Sequence, residues 1–124
     1  MTNDKYTFDD LVELVAYLTS ENGCPWDKVQ THDSIRGNML EEANEAVEAI
    51  DSKDTESLKE ELGDVLLQSV LHSDIAKREG TFNIDDVITT LCKKIITRHT
   101  HVFGDDKANT AEEAMAFWKK AKNK

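Results

Sequence analysis

The sequence has little proline, glycine or cysteine. Its 124 residues include one proline, five glycines and two cysteines, and aromatic residues make up 6%. Ala, Leu, Glu, Lys and Asp dominate the remainder, a composition that suits helices and suits a sheet poorly. With 39% hydrophobic and 32% charged residues, the chain is typical of a globular protein. Its length predicts a single domain over residues 1–124.

Long hydrophobic runs are also lacking, and no leader is expected. No apolar run is long enough to span a bilayer, and the N-terminal stretch MTNDKYTFDD is polar and acidic, unlike a signal peptide. Cys24 and Cys92 lie far apart, without the paired spacing of a metal site. Free thiols in a reducing compartment are the simplest interpretation. We therefore predict a cytoplasmic protein that does not associate with membranes.

Positive charge is scarce. The chain has 15 Lys and Arg against 25 Asp and Glu, for a formal net charge of -10. Such a chain is repelled by nucleic-acid backbones and anionic membranes, so we predict no nucleic-acid partner. A small phosphate ligand that is carried by a cation stays compatible with this charge.

Helical periodicity and capping residues predict an all-α fold of about five helices. The first is capped by Thr7 and ends by Gly23, and a loop around CPWDKVQTHD follows. A capping-box pattern, Thr110 with Glu113, opens the last helix. The other predicted helices run over about 34–50 and 56–78, and from Asn83 through NIDDVITTLCKKIITRH.

The stretch from Met39 to Gln68 places ten acidic groups in thirty residues. On a solvated helix face such groups need no explanation, because like charges one turn apart cost only ~0.2–0.5 kcal/mol. The third helix, however, is apolar over most of its circumference, which predicts burial. Its polar residues should then form one strip that faces a cavity or cleft: Ser57, Glu61, Asp64, Gln68 and His72.

The second and third helices have matching acidic positions about their turn. Glu42 and Asp64 each lie eleven residues from Lys53, and Glu45 and Glu61 each lie eight. In an antiparallel hairpin these four carboxylates converge. Two unit charges about 4 Å apart interact by ~4 kcal/mol at an effective dielectric of about 20, so the cluster needs protons or cations. Oxygen-only ligands favour Mg²⁺, Mn²⁺ or Ca²⁺ over zinc.

Mg²⁺ that is held by a few carboxylates usually bridges substrate phosphates. Lys94 and Arg98 lie one turn apart on the fourth helix, where they could contact phosphate or simply form a solvated basic face. Trp118 could stack on a base or pack. His99 and His101 are interpreted as packing or hydrogen-bonding residues, because nothing nearby completes a metal site.

Four motifs in order carry a family resemblance. They are GCPWD at 23–27, LEEANEAVEAI with its E-x-x-E spacing, ELGDVLLQ with E-x-x-D, and RHTHVFGD at 98–105. Together they resemble the MazG-like nucleoside triphosphate pyrophosphohydrolases, over about residues 11–120. Thr97 and Thr100 depart from the family pattern, which often has Arg and Pro at these positions.

The resemblance implies an all-α fold, usually in a tight dimer. It also implies Mg²⁺-dependent cleavage of nucleoside triphosphates between the α and β phosphates, with Mn²⁺ as a substitute ion. Transferred by motif, the metal ligands are Glu42, Glu45, Glu61 and Asp64. The catalytic candidates are Glu41, Glu42 and Glu45. Of these, Glu41 is implied to orient the water. The implied substrate contacts are Asn38, Lys94, Arg98 and Trp118.

An alternative of a different class is a helical interaction module. Its acidic surface would bind a basic protein partner without turnover. This hypothesis predicts that the four carboxylates are exposed and that Mg²⁺ leaves thermal stability unchanged. The position of the carboxylates therefore separates the two hypotheses.

Overall fold

A computed structural model describes residues 4–123. The prediction that the chain has no leader used the MTNDKYTFDD stretch. Residues 1–3 of this stretch lie outside the described residues. Over the described range the chain forms six α-helices and one short 3₁₀ helix. These are α1 (Phe8–Leu18), a 3₁₀ helix (Asp27–Val29), α2 (His32–Ser52), α3 (Thr55–Glu79), α4 (Ile84–Arg98), α5 (Thr100–Phe103) and α6 (Ala111–Lys122).

The predicted all-α class is confirmed, and each of the five predicted helices is present. Two short elements were not predicted: the 3₁₀ helix in the CPWD loop, and α5 within the RHTHVFGD segment. Each covers a single turn, so neither contains enough residues for an apolar period to be recognised. Among the described residues, no helix is both long and apolar enough to cross a bilayer.

The chain divides into two compact units, Met1–Ile84 and Asp85–Lys124. The first contains α1, the 3₁₀ helix, α2 and α3, and α3 packs against both α1 and α2. The second contains α4 from its second residue onward, α5 and α6, and α5 packs against α6. The single domain over 1–124 stays a prediction.

Helix α1 begins with a complete capping box. The Thr7 side chain accepts from the Asp10 amide at 3.2 Å, and the Asp10 carboxylate accepts from the Thr7 amide at 2.8 Å. The helix ends at Leu18 rather than near Gly23. Gly23 instead lies in the turn that follows, where a Cβ atom would meet the Leu18 carbonyl oxygen at 2.2 Å. Only glycine fits this close backbone approach.

A two-residue link joins α2 to α3. Lys53 is in the left-handed region, with φ of 60°, and its amide donates to the Ile50 carbonyl. Asp54 then caps α3 by accepting from the amides of Glu56 and Ser57. Because the link is so short, α2 and α3 must run antiparallel, side by side.

The core of the first unit is small. Its buried apolar side chains come from all three of its α-helices: Val15, Ile35, Ala46, Ala49, Val70, Ile75 and Ala76. The burial predicted for the apolar surface of α3 is incomplete within the described chain, since Leu62 and Leu66 are 52% and 44% exposed. Helices α1 and α2 cover only part of α3. The polar strip, by contrast, includes Gln68, which is buried.

Asp74 connects three elements of the first unit. Its carboxylate accepts from the Thr19 hydroxyl at 2.6 Å, at the end of α1, and from Arg78 Nε at 3.1 Å. Arg78 also donates to the Lys28 carbonyl at 3.3 Å, in the 3₁₀ helix. The Asp74 side chain is only 10% exposed. These bonds hold the CPWD loop against α3.

In the second unit, Thr110 caps α6 by accepting from the Glu113 amide at 3.1 Å. The Glu113 carboxylate accepts from the Asn109 amide at 3.3 Å, one residue before the position that a standard capping box uses. His101 stacks on Phe117, with ring centroids 6.1 Å apart, and His99 Nδ1 donates to the Ile95 carbonyl. Both histidines therefore have the packing and hydrogen-bonding roles that were predicted.

Candidate functional site

Three carboxylates from two helices converge in the first unit. One oxygen each from Glu42, Glu45 and Glu61 lies within 4.8 Å of the other two. Glu42 and Glu45 are one turn apart on α2, and Glu61 lies opposite them on α3. The hairpin thus brings together three of the four residues that the sequence symmetry selected.

Asp64 lies near this group without joining it. It is outside the set of oxygens that share the 4.8 Å separation, although its charge acts on both Glu42 and Glu61. Asp64 is one turn further along α3 than Glu61, on the same polar strip. The expected four-residue cluster is therefore a tight trio with a fourth carboxylate beside it.

Desolvation and crowding of like charges act together at this cluster. Partial burial is the main reason that the pKa values of Glu42 and Glu61 are raised, and repulsion from Glu45 and Asp64 adds to it. One oxygen of Glu42 and one of Glu61 are also buried without a hydrogen-bond partner. Buried acceptors without partners are costly, so both side chains are poised to accept a proton or a cation.

The donor set suits a hard divalent cation. The converging atoms are carboxylate oxygens, which Mg²⁺ and Mn²⁺ prefer, and no histidine or cysteine joins them among the described residues. The two unpartnered oxygens are an independent indication that a ligand completes the cluster. All four acidic residues are half-buried, and this contradicts the open acidic surface that the interaction-module alternative requires.

Asn38 lies one turn before Glu42 on α2 and lines a cavity of about 170 Å³ in the first unit. The cavity also contacts the CPWD loop and α3. Its apolar lining consists of Trp26, Ile35, Leu67, Leu71 and Ile75, and its polar lining comprises Thr19, Asp27, Gln30, Asn38, Gln68 and Arg78. Asn38 and Glu41 are both exposed.

The remaining predicted contacts belong to the second unit. The Arg98 guanidinium carbon lies 6.0 Å from the centroid of the Trp118 ring, and Lys122 Nζ lies 5.0 Å from the same ring. Both cations are within reach of a cation–π interaction. Lys94 is exposed on α4. That Lys94, Arg98 and Trp118 contact the same substrate as the carboxylates stays a prediction.

Sequence reasoning missed a histidine pair at the far end of the hairpin. His32 and His72 stack with ring centroids 5.0 Å apart, and His32 Nε2 lies 3.5 Å from Glu79. Burial, followed by the nearby His32, lowers the pKa of His72. The symmetry about Lys53 offered a signal, since the two positions are 21 and 19 residues from it.

Comparison with known proteins gives a consistent family. A sequence model described as "MazG nucleotide pyrophosphohydrolase domain" matches residues 30–103. The match contains α2, α3, α4 and α5. All four acidic residues and Asn38, Lys94 and Arg98 therefore fall within it, whereas Trp118 lies outside.

Curated relatives carry related names. A Thermotoga maritima protein named "Nucleoside triphosphate pyrophosphohydrolase/pyrophosphatase MazG" is 53% identical over 98 residues, which are 79% of this chain and 38% of that protein. The Escherichia coli "Nucleoside triphosphate pyrophosphohydrolase" is 41% identical over 115 residues, 92% of this chain and 44% of that protein. The chain thus spans less than half the length of each of these two relatives.

A solved structure shares the fold. The "Crystal structure of mazG-related protein from Thermotoga maritima" matches with a TM-score of 0.76 at 28% identity. The match covers 94% of this chain and 99% of that one.

Proposed function

This chain belongs to the MazG nucleotide pyrophosphohydrolase family, and we propose that it hydrolyses nucleoside triphosphates between the α and β phosphates. The products are a nucleoside monophosphate and pyrophosphate. The observation that carries the proposal is the convergence of Glu42, Glu45 and Glu61 at a half-buried point with unpartnered oxygens. Removal of surplus or non-standard nucleotides is the corresponding cellular role.

The carboxylates would hold Mg²⁺, with Mn²⁺ as a substitute. Glu42, Glu45 and Glu61 form the primary ligand set because their oxygens already lie within 4.8 Å of one another. Asp64 is the fourth ligand that the family motif implies. Mg²⁺ supplies neutralisation of the triphosphate charge when it is bound, which an acidic chain with a net charge of -10 needs before it can bind that substrate.

In the proposed reaction, a water oxygen forms a bond to the α phosphorus. The bond from that phosphorus to the α–β bridging oxygen breaks, and pyrophosphate leaves with the electron pair. Glu41, to which the family motif gives a water-orienting role, would orient this water and accept its proton. Glu42 and Glu45 would act at the same centre by holding the cation.

The nucleotide contacts extend this assignment. Asn38 is one turn from Glu42, in the wall of the cavity, where its amide can bond to the nucleoside. Lys94 and Arg98 supply positive charge for phosphate oxygens, and the planar Arg98 guanidinium can do so in bidentate fashion. Trp118 offers an aromatic face beside Arg98.

The test is a substrate panel. Purified chain is incubated with each NTP and dNTP plus Mg²⁺, and pyrophosphate and monophosphate are quantified. In water enriched with ¹⁸O, attack at the α phosphorus places the label in the monophosphate, whereas attack at the β phosphorus places it in pyrophosphate. Label in pyrophosphate would overturn attack at the α phosphorus, and release of inorganic phosphate alone would overturn cleavage between the α and β phosphates.

Matched variants test the residues. Glu42→Gln and Glu61→Gln remove one charge each from the cluster, and we expect activity to fall by at least a hundredfold. Glu48→Gln and Glu60→Gln change exposed residues on the same two helices and serve as controls. Full activity in Glu42→Gln would remove the cluster from the mechanism.

We further propose that the protein acts as a cytoplasmic homodimer. Support comes from exposed apolar side chains on the hairpin, namely Leu40, Val47, Ile50, Leu62 and Leu66. Exposed apolar groups of this kind are typical of surfaces that a partner covers. Sedimentation equilibrium of the purified chain gives the test, and a monomer at micromolar concentration would refute the dimer.

A further inference from the structure

The pair of His32 and His72 has no part in the proposed reaction. Its two Nδ1 atoms are 2.8 Å apart, and the ring planes differ by only 2°. Imidazole nitrogens this close face one another across a shared proton or across a shared metal ion, because each ring nitrogen is either a donor or a lone-pair ligand. The hairpin thus brings one potential metal-binding nitrogen from each helix to a single point.

Glu79 prepares His32 for the metal-bound state. Its carboxylate lies 3.5 Å from Nε2, the other ring nitrogen of His32. A carboxylate there keeps the proton on Nε2 and leaves the lone pair on Nδ1, as the outer partners of metal-binding histidines do. In His72, Nε2 is buried without a hydrogen-bond partner. Nδ1 is therefore the nitrogen of His72 that is available to a ligand on the side of His32.

The donors at this pair differ in kind from those of the carboxylate cluster. Imidazole nitrogen suits Zn²⁺, Ni²⁺ and Cu²⁺, whereas Mg²⁺ prefers oxygen. His72 is eight positions beyond Asp64 on α3, which is about 12 Å along the helix at a rise of about 1.5 Å per residue. An ion at the histidines is therefore separate from an ion at the carboxylates.

The spacing of the two nitrogens is close to what a metal ion needs. Zn–N bonds of about 2.0–2.1 Å place two nitrogens of a tetrahedral site roughly 3.3 Å apart, so the pair has to widen by about 0.5 Å. The His32 side chain is 38% exposed, which leaves it room to rotate and lets an ion reach it from solvent. Over residues 4–123, no third His, Cys, Asp or Glu ligand atom lies within 4.8 Å of both nitrogens. Water completes the coordination.

We propose that the Nδ1 atoms of His32 and His72 form a binding site for a divalent transition-metal ion of the Zn²⁺ type, with Glu79 as the positioning residue for His32. The ion replaces the N–H···N bond, and each ring is then neutral with its proton on Nε2. His32 is the first residue of α2, so the ion joins the start of α2 to α3. This closes the end of the hairpin that lies opposite Lys53, and binding stabilises the first unit.

The direct test observes the ring nitrogens. Zn²⁺ is titrated into ¹⁵N-labelled protein without a chelator, and long-range ¹H–¹⁵N spectra separate Nδ1 from Nε2 in each histidine, with assignments from His32→Asn and His99→Asn. Both Nδ1 signals of the pair should move together. The signals of His99 and His101 should stay in place, as should all ring signals when Mg²⁺ replaces Zn²⁺. An unchanged spectrum at millimolar Zn²⁺, or movement of His99 and His101 alone, would overturn the proposal.

Variants then identify the ligands by calorimetric titration with Zn²⁺ and by melting temperature. His32→Asn and His72→Asn should each abolish binding at the pair and the rise in melting temperature that Zn²⁺ produces in wild type. Glu79→Ala should weaken binding by about 10- to 100-fold, as loss of an outer partner does. Glu48→Ala, an exposed glutamate on α2, is the matched control and should change neither quantity.

The carboxylate cluster is the competing location for Zn²⁺. Binding that persists unchanged in His32→Asn and is lost in Glu61→Gln would place the ion at the cluster and overturn the proposal. Binding that is lost in His32→Asn and kept in Glu61→Gln would support it. Since His32 and Glu79 are both partly exposed, their variants decide the outcome even where His72→Asn does not fold.

Discussion

The Nδ1 atoms of His32 and His72 lie 2.8 Å apart, on facing sides of the α2–α3 hairpin. At this separation one nitrogen must donate and the other must accept, so the pair cannot carry two charges without breaking the bond. His32 Nε2 also lies 3.5 Å from the Glu79 carboxylate. Burial, followed by the nearby His32, lowers the pKa of His72, which favours its neutral form.

This pair predicts loss of stability in mild acid. Because the pKa of His72 is lower when folded than the unfolded value of about 6.5, the unfolded chain binds more protons below that pH. Stability should therefore be intact above about pH 6.5 and decrease as the pH falls towards the folded pKa. Thermal melts from pH 8 to 5 should show a smaller decrease in His72→Asn than in wild type. Parallel curves for the two proteins would refute this.

Without metal, the carboxylate cluster predicts that stability decreases as the pH rises, which is opposite to the trend predicted for His72. The pKa values of Glu42 and Glu61 are raised on folding, so their contribution to stability is lost as the pH rises through the folded pKa. At neutral pH in EDTA, Glu42→Gln should therefore melt at a higher temperature than wild type. Glu48→Gln is the control, and a lower melting temperature for Glu42→Gln would contradict the prediction.

With Mg²⁺ present, we expect wild type to melt at a higher temperature than Glu42→Gln. At a Mg²⁺ concentration about 100 times Kd, specific binding adds ~2.7 kcal/mol of stability to the wild type. Glu42→Gln and Glu61→Gln should lose most of this gain, whereas Asp64→Asn, which lies outside the tight trio, should retain more of it. Isothermal titration with Mg²⁺ and Mn²⁺ checks the order. Equal losses in Asp64→Asn and Glu61→Gln would show that all four carboxylates bind equally.

Replacement of glycine by alanine should have opposite effects on stability at Gly23 and Gly37. Gly23→Ala would place a Cβ atom 2.2 Å from the Leu18 carbonyl oxygen, so we expect destabilisation towards the upper end of the roughly 0.5–3 kcal/mol range of point mutations. Gly37→Ala on α2 meets no atom within 4 Å and should stabilise the helix by about 0.8–1 kcal/mol. Denaturant unfolding measures both, and a tolerated Gly23→Ala would show that the turn can shift.

The link between α2 and α3 predicts a stabilising substitution. Lys53 has a φ of 60°, a region that costs a side-chain-bearing residue about 1–2 kcal/mol. Lys53→Gly should therefore raise the free energy of unfolding, by up to about 1 kcal/mol once the added flexibility of the unfolded chain is subtracted. Lys59→Gly, within α3, should lower it by a similar amount. Destabilisation by Lys53→Gly would contradict the strain argument.

The sequence predicted what depends on local periodicity. Thr7 and Thr110 cap their helices as expected, and the positions of the acidic residues about Lys53 predicted the convergence of Glu42, Glu45 and Glu61. These features follow from helix geometry and from a short link. A contact between neighbouring helices can be derived from spacing when the turn is short.

Other features depend on packing between distant segments. Thr19 and Asp74 lie 55 positions apart, and Arg78 reaches the Lys28 carbonyl across 50. No period in the sequence relates such positions. The sequence also did not identify Leu62 and Leu66 as the exposed apolar residues of α3, because an apolar helix surface does not reveal which of its sides a neighbour covers. The cavity that Asn38 and Gln68 line depends on these same long-range contacts.

Lys53 and Asp54 alone link α2 to α3. The geometry of the carboxylate cluster therefore depends more on the number of residues in this link than on their identity. An added residue there would advance every later position of α3 by one, which turns the helix by about 100° relative to α2. Glu61 would then face away from Glu45, although no acidic residue had been replaced. Across natural variants of this chain, the length of this segment should therefore be held fixed while its individual amino acids drift.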